Sequence, residues 1–160
     1  MLTLSPPAPP HAMSAPAPTY DRHDWTVTTA ADEVSLLTDD NMGGIELAGD
    51  LARGVHEYLH VNGLIGPVLE LPGSEFREIH VVAGLAKAEM ALAWLIEAGA
   101  TVHRGGTAIP LPATESAAAG QWSSAPDRAM PAAVALAAAV RAVQARNARS
   151  ATAHARSAAS

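Results

Sequence analysis

The stretch Gly66–Gly84, GPVLELPGSEFREIHVVAG, constrains the fold of this chain most. It predicts a β-hairpin, with one strand near Val68–Leu71 and the other near Glu78–Ala83. Gly73 and Ser74 fall in the turn, and Pro72, which lacks an N–H, marks where ladder pairing stops. Side chains alternate along a strand. Ile79 and Val81 therefore share one face, and Glu78, His80 and Val82 share the other. Helical patterns flank the hairpin. Before it, Leu51, Val55, Tyr58 and Leu59 recur at helical spacing up to about Val61, with Gly49 or Asp50 as the cap and Asn62-Gly63 as the stop. After it, Leu85, Ala88, Leu92, Leu95 and Ile96 form a stripe over roughly Leu85–Ala98, widened by Met90 and Trp94 and ended by Gly99.

The rest of the chain extends this pattern. Val34–Leu37 and Ile45–Ala48 read as strands joined through an Asn41-Met42-Gly43-Gly44 turn. Thr101–Arg104, Gly105-Gly106 and Thr107–Leu111 read as a second, tighter hairpin, whose last strand Pro110 and Pro112 confine to a sheet edge. Ala113–Ala129 reads as loop anchored by Trp122. Pro131 suits the first turn of an Ala-rich helix, with a thin stripe of Leu136, Val140 and Val143, reaching about Ala148. The order β-β-α-β-β-α-β-β predicts an α+β fold: a mainly antiparallel sheet with two helices on one face, a ferredoxin-like or RRM-like core, plus a C-terminal helix. Parity places Ile45, Leu47, Ile79 and Val81 beneath the helices. Glu46, Ala48, Glu78 and His80 then look out from a free face, where a site is expected.

Residues 1–24 are rich in Pro, Ala and Ser and have no period, so they are expected to be a disordered tail whose removal leaves stability unchanged. Met13 is a second candidate start. The expected units are a domain over residues 25–125, a helix over 130–148 and a frayed tail over 149–160. There is no Cys, which excludes a disulfide framework or thiolate zinc site and favours the cytoplasm. No apolar run approaches the ~20 residues of a membrane span, and MLTLSPPAPP has neither the basic nor the apolar region of a signal peptide.

Charge is unevenly spread. All sixteen Asp and Glu lie between Asp21 and Asp127, and beyond Asp127 the only charged residues are Arg128, Arg141, Arg146, Arg149 and Arg156. Phosphate affinity comes mostly from Lys and Arg. The body is thus a poor nucleic-acid binder, and Arg141, Arg146 and Arg149 are the candidate nucleic-acid contacts.

Three segments, in this order, resemble the N-terminal domain of bifunctional DNA primase/polymerases of the archaeo-eukaryotic primase superfamily. VSLLTDDNMGGIELAGD is similar to the family's strand–turn–strand ending in two metal-binding Asp, for which Ala48 and Asp50 stand here. SEFREIHVVAG resembles the strand whose His contacts nucleotide phosphates, matched by His80, with Glu78 where a small residue is usual. TVHRGGTAIPLPATESAAAGQW resembles the final hairpin, but Thr101, Val102 and His103 occupy the place of the family's third Asp.

Two-metal phosphoryl transfer needs converging carboxylates, because Mg²⁺ is held by oxygen. The resemblance therefore implies a domain that has lost most of its metal site and is not a polymerase. Catalysis would persist, with Mg²⁺, only if Glu46 joined Asp50. Asp50 otherwise reads as a helix N-cap, and Glu46 and Glu78 as solvated residues. His80 is the candidate nucleotide contact, joined by Arg104, and single-stranded DNA or nucleotide is the candidate partner. The alternative is a small protein-interaction domain that docks a partner protein through the sheet face or the C-terminal helix stripe, without a membrane role. His56 and His60, at i and i+4 without an HExxH pattern, read as a solvated face. No Walker-type loop, nucleophile elbow or dinucleotide fingerprint occurs.

Overall fold

The computed structural model describes residue 20 and residues 24–30, 33–112 and 120–159. In chain order these form β1 (Val27–Ala30), β2 (Glu33–Leu37), β3 (Met42–Ala48), α1 (Gly49–Val61), β4 (Val68–Leu71), β5 (Arg77–Ala83), α2 (Glu89–Glu97), β6 (Thr101–His103), β7 (Ala108–Leu111), β8 (Gln121–Ser124) and α3 (Ala133–Ala158). The central hairpin is as expected, with Val68 opposite His80 and Leu71 opposite Arg77. Five strands form one antiparallel sheet in the order β6-β3-β5-β4-β8. Within it, β3-α1-β4-β5-α2-β6 has the split arrangement of a ferredoxin-like unit: β5 lies between β3 and β4 and runs antiparallel to both. The fold is α+β, with α1 and α2 on one face of this sheet and α3 packed across both helices.

The other face is covered, not free. A second antiparallel sheet, β1-β2-β7, packs there. Ile79, Val81 and Leu69 from the large sheet meet Val34, Leu36, Ile109 and Leu111 from the small one. This layer corrects the orientation expected for β5. Ile45 pairs with His80 and Leu47 with Glu78, and paired residues share a face. Ile45 and Leu47 do lie in the helix-side cluster, so His80 and Glu78 are beneath the helices, and Ile79 and Val81 face the second sheet. Two apolar layers flank β5, and Ile79 and Val81 satisfy one of them as well as the other.

The expected second hairpin is a crossover. β6 pairs with β3 in the large sheet, whereas β7 pairs with β2 at the edge of the small one, where Pro110 is tolerated. Gly105 and Gly106, at φ 63° and 90°, make the switch, and their N–H groups donate to the Asp39 and Thr38 carbonyls of the β2–β3 turn. That turn is shorter than expected. The Asp39 carboxylate accepts from the Asn41 and Met42 N–H groups at 2.7 and 2.6 Å, and Met42–Gly44 already belong to β3. Strand pairing is close here: a Cβ on Gly43 would run into the His103 carbonyl.

Other elements shift as well. Leu85–Lys87 is a 3₁₀ turn ahead of α2, and Met90 and Ile96 point outward from that helix. Gln121–Ser124, expected as loop, pairs with β4 as an edge strand. Ala132 occupies the N-cap of α3, so Pro131 precedes the helix, which continues past Ala148 through the expected tail to Ala158. Of the expected disordered stretch 1–24, residues 1–19 and 21–23 lie outside the described residues. Tyr20 does not behave as tail. It is buried in the inter-sheet cluster, its hydroxyl donates to the Pro112 carbonyl at 2.7 Å, and it accepts from Trp122 Nε1 at 3.1 Å.

Candidate functional site

Two polar clusters flank the large sheet, one on each face. On the face toward the small sheet, Glu46 of β3 holds both of its neighbours. Arg77 Nη1 donates to Glu46 Oε1 at 3.1 Å, and His103 Nε2 donates to Oε2 at 2.9 Å. The other Arg77 nitrogen reaches the Pro72 carbonyl at 3.4 Å. His103 comes into reach because it sits opposite Gly44 on β6, two residues along from Glu46 on the same face. Both Glu46 oxygens are therefore engaged.

Asp50 does not join this group. It lies exposed in the first turn of α1, where Ala48 is the N-cap and no side-chain cap bond forms. The expected capping role of Asp50 is thus not realised. His80 lies on the opposite face of the sheet, so Glu46, Asp50 and His80 do not converge. Arg104 is apart from His80 too, and Nη1 donates to Glu89 at 2.7 Å on the surface. Among the described residues, no group of three or more His, Asp or Glu is placed to hold a metal ion.

The second cluster lies beneath α1. Glu78 of β5 is almost fully buried, yet it is a carboxylate. His56 Nδ1, from α1, lies 2.9 Å from Oε1 and 3.0 Å from Oε2. Ser123 Oγ, from β8, donates to Oε1 at 2.9 Å. One carboxylate thus links a helix, a central strand and an edge strand. Burial pushes the Glu78 carboxyl upward, only partly opposed by the Ser123 hydroxyl and by His56. His80 Nε2 sits 3.7 Å from Glu78 Oε2, too far for a hydrogen bond, and has no other partner. Burial, and then the His56 charge, lowers the His80 imidazole to about 3, so it stays neutral.

A pocket of about 320 Å³ opens over this cluster, lined by Phe76, Glu57, Glu70 and Arg53, whose guanidinium lies 4.3 Å from the Phe76 ring centre. The His56 ring, held through Nδ1 by Glu78, stacks with His60 at 6.5 Å between ring centres and lines this pocket. The sequence pattern points to His56 and Glu78 as solvated and to Ser123 as loop, whereas the structure brings the three into one cluster. The i, i+4 His pair was the visible signal, but the partner of His56 is a buried Glu across the sheet rather than His60.

The cationic residues of α3 divide in two. Arg141 is held to the body, its guanidinium 4.5 Å from the centre of the Trp94 ring. Arg146 and Arg149 lie farther along and are exposed, with Arg149 Nε donating to the Ala145 carbonyl at 3.2 Å. No protein-family model, curated protein or solved structure matches this chain.

Proposed function

We propose that this chain is a primase/polymerase-like domain that has lost catalysis and retains contact with nucleic acid. The observation that carries the reading is the outer part of α3, which presents Arg146, Arg149 and Arg156 with no acidic residue beyond Asp127. The ferredoxin-like strand order fits the resemblance in the three sequence segments. Loss of catalysis is supported by Ala48 in place of one carboxylate and by Glu46 being engaged at both oxygens by Arg77 and His103. Two assays test the reading. Primer-extension mixtures with Mg²⁺ or Mn²⁺ should give no product, and extension abolished by Asp50→Ala would overturn the loss of catalysis. The protein should be retained on immobilised DNA and eluted by salt, with retention lost in an Arg146→Ala/Arg149→Ala variant.

One observation favours a second reading, a protein-interaction domain. A groove of about 660 Å³ between α2 and α3 is lined by Met90, Ala91, Trp94, Val134 and Ala137, and Met90 is 89% exposed. Retention that ignores salt, together with a shift to dimer in solution, would select that reading.

A further inference from the structure

The outer part of α3 is exposed, although the guanidinium of Arg146 lies beside Gly54 of α1. Val143 is its last buried side chain, and every residue from Ala145 to Ala159 is exposed. A separate helix this short would be marginal in water, because nucleation is unfavourable. Here the packed part, Ala133–Val143, provides the nucleus, and the frequent Ala residues propagate it outward. Residues 145–158 form a rod of about 21 Å at 1.5 Å per residue. At about 100° per residue, Arg146, Arg149 and Arg156 fall within a sector of about 80°, with Ala153 between them. The remaining side chains are mostly Ala, Ser and Thr, so the rod is slimmer than the usual ~10–12 Å.

We infer that this arm is a helix that enters the major groove of duplex DNA, with Arg146 and Arg149 reaching the phosphates of the groove wall and the small side chains seated toward its floor. The inference rests on the nucleic-acid reading above and narrows it to one form of the polymer. Shape decides the form. The major groove of B-DNA is about 12 Å wide and admits an α-helix, whereas that of A-form RNA is deep and narrow and does not. Single strands are held chiefly on aromatic platforms, and the arm has no Phe, Tyr or Trp. Charge supports the same placement. Up to Asp127 the chain has sixteen acids against five Lys and Arg, and beyond it five Arg and no acid. The body is repelled by phosphate while the arm is drawn in. Arg141, stacked on Trp94, stays with the body.

The test is fluorescence anisotropy of the full chain with three labelled ligands of one sequence: single-stranded DNA, duplex DNA and duplex RNA, across a salt series. Duplex DNA should bind about tenfold or more tightly than either of the others, with a log–log salt slope of about −2 to −3. Arg146→Ala/Arg149→Ala should lower duplex-DNA affinity by about tenfold or more with helicity kept, since Ala is the best helix former. Ser150→Pro keeps every Arg but interrupts the arm, and should also abolish the preference for duplex DNA. Equal affinity for duplex RNA or single-stranded DNA, or a Ser150→Pro variant that binds duplex DNA unchanged, would overturn the groove inference while leaving nucleic-acid contact intact. No binding to any of the three ligands would overturn both.

Discussion

His80 is fully buried beneath α1, and its imidazole is lowered from 6.5 to about 3, first by burial and then by the His56 charge. The folded protein therefore refuses a proton that the unfolded chain accepts below pH 6.5. The stability this residue contributes is intact above pH 6.5 and is lost as pH falls from 6.5 toward 3. Each unit within that window costs about 1.4 kcal/mol, so His80 alone should remove about 2–3 kcal/mol between pH 6.5 and 4.5. The charged groups around it are Glu78 on its own strand and His56 on α1. His80→Leu isolates the effect, because Nε2 has no hydrogen bond to lose and a buried apolar side chain of similar size costs little. Urea unfolding is measurable by tryptophan fluorescence, since Trp25 and Trp122 pack with Tyr20 between the sheets. Over pH 6.5 to 4.5 the parent should lose about 2 kcal/mol more than the Leu variant. Parallel pH profiles for the two proteins would refute the assignment of a neutral, proton-refusing His80.

Glu78 carries the opposite linkage. Its carboxyl is raised by burial, so its contribution is largest at low pH and falls as pH rises through the raised value. Glu78→Gln should flatten that fall and unfold at higher urea than the parent at pH 8; a lower midpoint there would mean that the ionised pair with His56 outweighs burial. Gly43→Ala should lower the thermal midpoint, by a cost of about 1–3 kcal/mol, because the methyl meets the His103 carbonyl and also lies 2.7 Å from Leu85 Cδ1. An unchanged midpoint would show that β3 and β6 separate easily. Tyr20→Phe should cost about 1–2 kcal/mol through the bonds to Pro112 and Trp122, and deletion of residues 1–24 should cost more. A truncated protein with parental stability would place Tyr20 outside the folding unit.

The elements legible in the sequence were those fixed by short-range chemistry. The 68–83 hairpin has its own turn residues, and of the helical stripe Leu51, Val55, Tyr58 and Leu59, Val55 and Leu59 are buried in α1 while Leu51 and Tyr58 are half-buried beside them. What escaped depends on a second layer that no local pattern announces. Parity correctly separated Glu78 and His80 from Ile79 and Val81. It could not say which set faced the helices, because an apolar layer covers each side of β5. The Glu78–His56–Ser123 cluster was lost with that choice, since it exists only if Glu78 turns toward α1. Glu46 was placed on the correct face by the same parity, and its neighbour His103 was noticed, but their contact follows from β6 pairing with β3 instead of with β7. The Gly105-Gly106 pair looked like a hairpin because two glycines permit a tight reversal and a change of sheet equally well.

That change of sheet also orders the folding reaction. β2 and β7 are neighbours in the small sheet, yet the whole of β3 to β6 lies between them in sequence. Closing so long a loop first would be entropically unfavourable, whereas folding of the ferredoxin-like unit brings Leu37 and Ala108 together as a by-product. The β2–β7 pairing is therefore expected to form late, with its packing contributing little to the rate-limiting step. Loss of side-chain volume at Leu36 or Ile109 then acts on the unfolding rate and leaves the folding rate almost untouched, whereas the same loss at Ile45 or Val82 slows folding itself.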